Sequence, residues 1–191
     1  MQILLAHQYA VRPWKNGGGQ TRDIIVSPPG ADFDKLDWRA SMAQIEQPGP
    51  FSAFPGLDRS LTLLAGERLN LHEQDHCYTL TPHAPSIDFT GETVFDATIP
   101  DGPVLDFNVM SRRNRCQHQL QRRTLHQTQT LCRTGEALLV FVVAGRLDIA
   151  DSGLSLGLHD ALLLTEADPA QLTVTGHHAD AALVSITYFL K

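Results

Sequence analysis

No stretch of this chain sustains a 3.6-residue apolar period, whereas several short stretches alternate with a period of two. Such alternation gives a segment two unlike faces, which is the signature of a strand and not of a helix. In Val104–Met110 (VLDFNVM), Leu105, Phe107 and Val109 make an apolar face, while Asp106 and Asn108 point oppositely. In Trp38–Ile45 (WRASMAQI), Arg39, Ser41 and Ala43 share one face and Trp38, Ala40 and Met42 the other. Leu61–Ala65, Leu69–Leu71, Cys77–Thr81, Ile87–Phe89, Leu138–Val143, Leu147–Ile149, Leu162–Thr165, Leu172–Thr175 and Leu183–Tyr188 read as further short strands, punctuated by Gly, Pro and Asp. Asp32–Asp37 has room for one helical turn. The pattern predicts an all-β fold of short antiparallel strands.

A weak internal repeat runs through these strands. LTLLAGERLNL followed by TLTPHAPSIDFTG matches LVFVVAGRLDI followed by LLLTEADPAQLTVTG, so that Gly66 answers Gly145 and Gly91 answers Gly176. Two copies of one β unit predict two barrel-like halves in tandem, 1–115 and 116–191. The polar stretch Ser111–Arg133 is expected to join them and to hold a strand that closes the sheet. A chain of 191 residues with 42% hydrophobic and 19% charged residues can bury a core. Its 15 basic and 21 acidic residues give a net charge of −6, which argues against nucleic-acid binding. The longest apolar run, Ala137–Ala144, falls well short of the roughly 20 residues a membrane helix needs. The N-terminus lacks the features of a signal peptide, and the three cysteines form no CxxC pair, so a cytoplasmic location is expected.

Four groups of residues could carry chemistry. Trp14–Arg22 (WKNGGGQTR) sets three glycines among Lys15, Asn16, Thr21 and Arg22. Backbone N–H groups exposed by glycine, with cationic donors beside them, suit a small anion such as a carboxylate; a tight inter-strand turn explains the same residues. Gly49–Arg59 (GPFSAFPGLDR) is a Pro-stiffened loop that holds Ser52 and Phe54 ahead of Arg59. Arg39 with Ser41, and Asp106 with Asn108, each share a strand face and would form a polar floor if those faces meet inside a barrel. Long cations in such an interior need an anionic partner or ligand. His72–His76 (HEQDH) matches HExxH literally, but zinc peptidases carry that motif on a helix, and here strand-like flanks make Glu-Gln-Asp a hairpin turn.

WKNGGGQTRDI, WRASMA, GPFSAFPGLDR, the Ala-Gly turn at Gly66 and DFNVMSRR occur in this order, and together they resemble the HutD/Ves family from Trp14 to about Arg113. The rest of the chain fits only in its strand pattern. The resemblance implies a bicupin: two cupin β-barrels, RmlC-like jelly rolls, in one chain. It implies a binder or governor in histidine utilisation for HutD members and a link to stress response for Ves members. It also implies a pocket lined by Lys15, Asn16, Thr21, Arg39, Ser41, Ser52, Arg59, Phe107 and Asn108, with Gly18, Arg22 and Phe54 from the same motifs. A small carboxylate metabolite, such as a formylated glutamate, is the expected ligand. Metal-binding cupins carry Gly, five residues, then His-x-His; Gly66 and His72 keep the first spacing, but Gln74 stands where the second His belongs. No cofactor and no metal are therefore expected, and a homodimer is compatible with the sequence. Two alternatives stand: a metal-independent isomerase, epimerase or deformylase with Asp106 or a histidine as base, and a zinc hydrolase using His72, Glu73 and His76.

Overall fold

The computed structural model describes residues 1–150 and 152–189. Its strands run in the order β1 (Gln2–Leu4), β2 (Ala10–Pro13), β3 (Gly19–Ser27), β4 (Trp38–Ile45), β5 (Gly49–Phe51), β6 (Leu57–Ala65), β7 (Leu69–Glu73), β8 (His76–Leu80), β9 (Ile87–Thr90), β10 (Phe95–Thr98) and β11 (Val104–Arg112). They continue with β12 (Cys116–Leu125), β13 (Thr128–Cys132), β14 (Ala137–Ile149), β15 (Leu154–Leu156), β16 (Ala161–Thr165) and β17 (Gln171–Tyr188). The fold is all-β; its one helical element among the described residues is a 3-10 turn at Ala6–Gln8. Asp32–Asp37 holds a single turn, closed by Lys35 and Leu36 N–H donating to the Asp32 carbonyl.

The contacts divide the chain into two compact units, Ala10–Cys116 and Met1–Tyr9 with Gln117–Lys191. The sequence division at 115/116 assigned the first nine residues to the N-terminal half. They fold instead with the C-terminal unit, because β1 pairs antiparallel with β16.

In the Ala10–Cys116 unit, a six-stranded sheet in the order β2-β3-β4-β11-β6-β9 faces a four-stranded sheet in the order β5-β10-β7-β8. The two share a core of Ile45, Leu61, Leu63 and Val104 from the first and Leu69, Leu71, Leu80, Phe95 and Ala97 from the second. A smaller cluster of Leu36, Leu57 and Met110 lies apart from it. Burying side chains of this size stabilises by about 1.5–3 kcal/mol each. Among the described residues these sheets end in β2, β9, β5 and β8, and no closed barrel forms as the sequence had suggested. Short edge strands leave each sheet open.

The second unit is one seven-stranded sheet, with β1-β16-β14-β17-β12 in line, β13 on β17 and β15 on β14. It curls around an aliphatic cluster that includes Leu131, Leu138, Val140, Leu162 and Val174. The stretches expected as separate strands at Leu138–Val143 and Leu147–Ile149 are one strand, β14, which runs through Gly145 with register shifts on either side of Ala144. Ser111–Arg133, expected as a connection, contributes β12 and β13.

The glycines matched by the repeat meet matching constraints. Gly66 and Gly145 both have left-handed φ values, 92° and 72°. A Cβ on Gly91 would lie 2.0 Å from the Phe54 carbonyl oxygen, and one on Gly176 would lie 1.9 Å from that of Leu125. Gly91 also exchanges hydrogen bonds across this close approach, its carbonyl accepting from Phe54 N–H and its N–H donating to the Leu57 carbonyl, both at 2.7 Å. Gly91→Ala should therefore force the Phe54–Leu57 loop away and cost about 1–3 kcal/mol, lowering the melting temperature by about 2–4 °C per kcal/mol. An unchanged thermal melt would show that the loop yields freely.

Candidate functional site

The inner face of the six-stranded sheet can be read rung by rung, because side chains two residues apart share a face. Backbone pairing places Val26, Arg39, Met110, Arg59 and Phe89 on one rung. The next holds Asp23, Ser41, Asn108, Leu61 and Ile87, and the one after it Thr21, Ala43, Asp106 and Leu63. A polar strip thus runs between the two hydrophobic clusters. Every buried polar or charged residue among those described lies in this unit, and Arg39, Ser41, Arg59, Asp106 and Asn108 share this face.

The two arginines are held differently. Arg39 donates from Nε to Asp23 Oδ1 at 2.7 Å and pairs with the same carboxylate through its terminal nitrogen. Asp23 is shared with Arg12, 2.9 Å away. The Phe33 ring covers the Arg39 guanidinium at 5.2 Å. Arg59 is only 3% exposed and makes no ion pair among the described residues. It donates to the Ser52 carbonyl at 2.9 Å and sits 4.8–5.0 Å from the rings of Phe51, Phe54 and Phe89. Each ring face offers about 0.5–2 kcal/mol to a desolvated cation. Burial pushes the Arg59 pKa down to about 10, against the pull of Asp106 and with a further push from Arg39. The group stays charged at neutral pH.

Asp106 is 1% exposed, and neither carboxyl oxygen makes a hydrogen bond of ordinary length and angle, the Ala43 backbone offering only a weaker one. Asn108 Oδ1 and Arg59 Nε are likewise buried without one. Burial pushes the Asp106 carboxyl up to about 7, while the Arg59 charge, the Ala43 backbone and Arg39 favour its ionised form. A polar group buried without a partner costs about 1–3 kcal/mol, so this strip is organised for something other than packing.

The structure gathers Thr21, Arg39, Ser41, Arg59 and Asn108 on this face and brings Phe54 to it as a ring over Arg59. The other six expected residues lie elsewhere or act differently. Arg22 pairs with Met42 and Phe107 with Met42 and Thr62, so both project from the opposite side of the sheet. Ser52 contributes its backbone carbonyl, not its hydroxyl. The glycine loop is a tight turn: Gly17 N–H donates to the Trp14 carbonyl, Gly18 N–H to Asn16 Oδ1, and the Gly18 carbonyl accepts from Glu46 and Gln47. Those Gly17 and Gly18 N–H groups are used internally and do not form an anion cradle. Lys15 and Asn16 are exposed on this turn.

Sequence reasoning missed Asp23 and the rings of Phe33 and Phe89. The alternation Thr21, Asp23 was a usable signal for the first. HEQDH forms a hairpin, with His72 on β7, His76 on β8 and Gln74 at φ 50° in the turn, so the two histidines do not share a helix face. Among the described residues, no cluster of three or more His, Cys, Asp or Glu is placed to hold a metal ion.

Because the folded-state pKa of Asp106 is raised, its contribution to stability is complete below the ordinary value of 3.8 and lost as pH rises through about 7. The melting temperature should fall between pH 5 and pH 8. Asp106→Asn, which does not titrate, should flatten that fall and melt higher at pH 8. Superimposable pH profiles for the two chains would refute the assignment.

The HutD family model matches residues 6–183. Protein Ves of Citrobacter koseri is 38% identical over 158 residues, covering 81% of this chain and 79% of that one. An uncharacterized 21.2 kDa protein in the hutC 3' region of Pseudomonas putida is 31% identical over 171 residues, 88% of each chain. Among solved structures, HutD from Pseudomonas fluorescens SBW25 in a formate condition is 29% identical with a TM-score of 0.86 over 99% of both chains. The Escherichia coli pirin YhhW in complex with nickel(II) is 10% identical at a TM-score of 0.70 over 99% of both, a likeness of fold alone. No helix among the described residues is long and apolar enough to cross a membrane. With its cupin-like β fold, the chain belongs to the HutD family.

Proposed function

We propose that this protein binds a small carboxylate metabolite on the inner face of the Ala10–Cys116 unit and serves histidine utilisation as an accessory or regulatory binder, with N-formylglutamate as the ligand to try first. The observation that carries the reading is Arg59: a buried cation with no ion pair and an Nε–H without an acceptor. A carboxylate supplies both charge and acceptor, and a charge-assisted bond of this kind contributes about 1.5–3 kcal/mol net. The HutD resemblance supplies the pathway, and a HutD relative solved in a formate condition is in keeping with a carboxylate. The matched glycines support reading the two units as tandem copies of one cupin-like barrel, a bicupin in which the aliphatic second copy acts as scaffold.

Calorimetry with N-formylglutamate, glutamate, urocanate and formate tests the reading. At least one of them should bind, and Arg59→Gln should weaken that binding at least tenfold. Arg59→Lys, which keeps the charge but removes the Nε donor, should weaken it as well while melting close to the unmodified chain. No heat with any of the four would remove this ligand class.

The near-neutral pKa of Asp106 also suits a general base. Turnover of an acidic metabolite that disappears in Asp106→Asn would make the protein an enzyme on the same site.

A further inference from the structure

Taking Arg59 as the carboxylate anchor, and resting on that reading, we infer that Asp106 and Asn108 select ligands that carry a hydrogen-bond donor beside their acid group. Of the four unpartnered buried atoms in this interior, one is a donor, Arg59 Nε. The other three are acceptors: both Asp106 oxygens and Asn108 Oδ1. A bare dicarboxylate brings only acceptors. It satisfies Arg59 and leaves three acceptor atoms facing its own oxygens.

An N–H or O–H on the ligand reverses that balance. A proton on one Asp106 oxygen reduces this need without removing it, because the other oxygen and Asn108 Oδ1 are then two acceptors against a single O–H. The protein offers no relief from its own ion pairs, because Arg39 is committed to Asp23 through two of its nitrogens. Arg59 faces Asp106 closely enough for each to shift the other's charge state, and Asn108 lies on the rung between them. Rungs on one face are about 7 Å apart. A ligand with its acid and its donor a few bonds apart therefore meets Arg59 at one end and Asp106 or Asn108 at the other. Sites built to hydrogen-bond a donor reject analogues that lack it, because their own buried groups then stay unpaired.

The test is a ladder of acids on one carbon skeleton, titrated calorimetrically into the whole chain: glutarate with no donor, 2-hydroxyglutarate with an O–H, and N-formylglutamate with an N–H. The two donor-bearing acids should bind at least tenfold more tightly than glutarate. In the double variant Asp106→Leu with Asn108→Leu, that advantage should shrink below threefold. Equal affinities for the three acids in the unmodified chain would overturn the inference and leave the Arg59 reading intact. An advantage that survives in the folded double variant would overturn it too. Binding of none of the three would overturn the inference, and the Arg59 reading would fall with it only if glutamate, urocanate and formate gave no heat either. If the double variant does not fold, the ladder in the unmodified chain decides.

Discussion

A guanidinium taken out of water with no ion-paired carboxylate among the described residues, and only the field of Asp106 to balance it, sets the terms for the Ala10–Cys116 unit. Removing Arg59 from solvent costs several kcal/mol, and the surroundings offset this with one backbone carbonyl and three ring faces. Those rings come from different places: Phe51 ends β5, Phe54 lies in the loop that follows, and Phe89 sits on β9. The loop that supplies the Ser52 carbonyl is fixed in turn by the backbone bonds to Gly91. Sheet edge, loop and glycine contact therefore serve one buried charge. The same surroundings leave the Arg59 Nε–H without an acceptor, a cost that packing alone does not offset.

The contrast between the units sharpens this. The second unit's core cluster is aliphatic, and none of its described polar side chains falls in the buried class. The matched glycines keep the same backbone constraints in both units. What differs is what the inward positions carry: arginine, aspartate and asparagine in one unit, leucine and valine in the other. Backbone geometry and inward chemistry thus vary separately between the two units.

Much of this was legible from alternation alone. The period of two in WRASMAQI and VLDFNVM put Arg39 with Ser41 and Asp106 with Asn108 on shared faces, and the structure pairs those faces rung for rung. The strand ends were less legible. Ala144-Gly145 reads as a break, yet β14 passes through it by shifting register, and β17 does the same around Gly176 to His178. Asp23 was legible only from its alternation with Thr21, because the register shifts just after it and a fixed alternation does not carry from Arg39 back through β3. Arg22 was favoured as a cation in a motif, but one residue's displacement in a strand moves a side chain to the other face. The glycine triplet pointed to a ligand when its hydrogen bonds were needed to close the turn itself. Of the rings over Arg59, Phe51 and Phe54 lie in the same Pro-stiffened motif, whereas Phe89 is brought in only by the pairing of β9 with β6, which no local pattern marks.

The placement of β1 has a bearing on how the molecule is made. Its three residues pair with Leu163, Leu162 and Ala161, so a strand that precedes the Ala10–Cys116 unit in the chain waits for a partner that follows it. Between them the whole of Ala10–Cys116 emerges with its sheet partners internal to itself. The Ala10–Cys116 unit can thus mature while the chain is still growing, and the aliphatic unit assembles around a strand made before that unit.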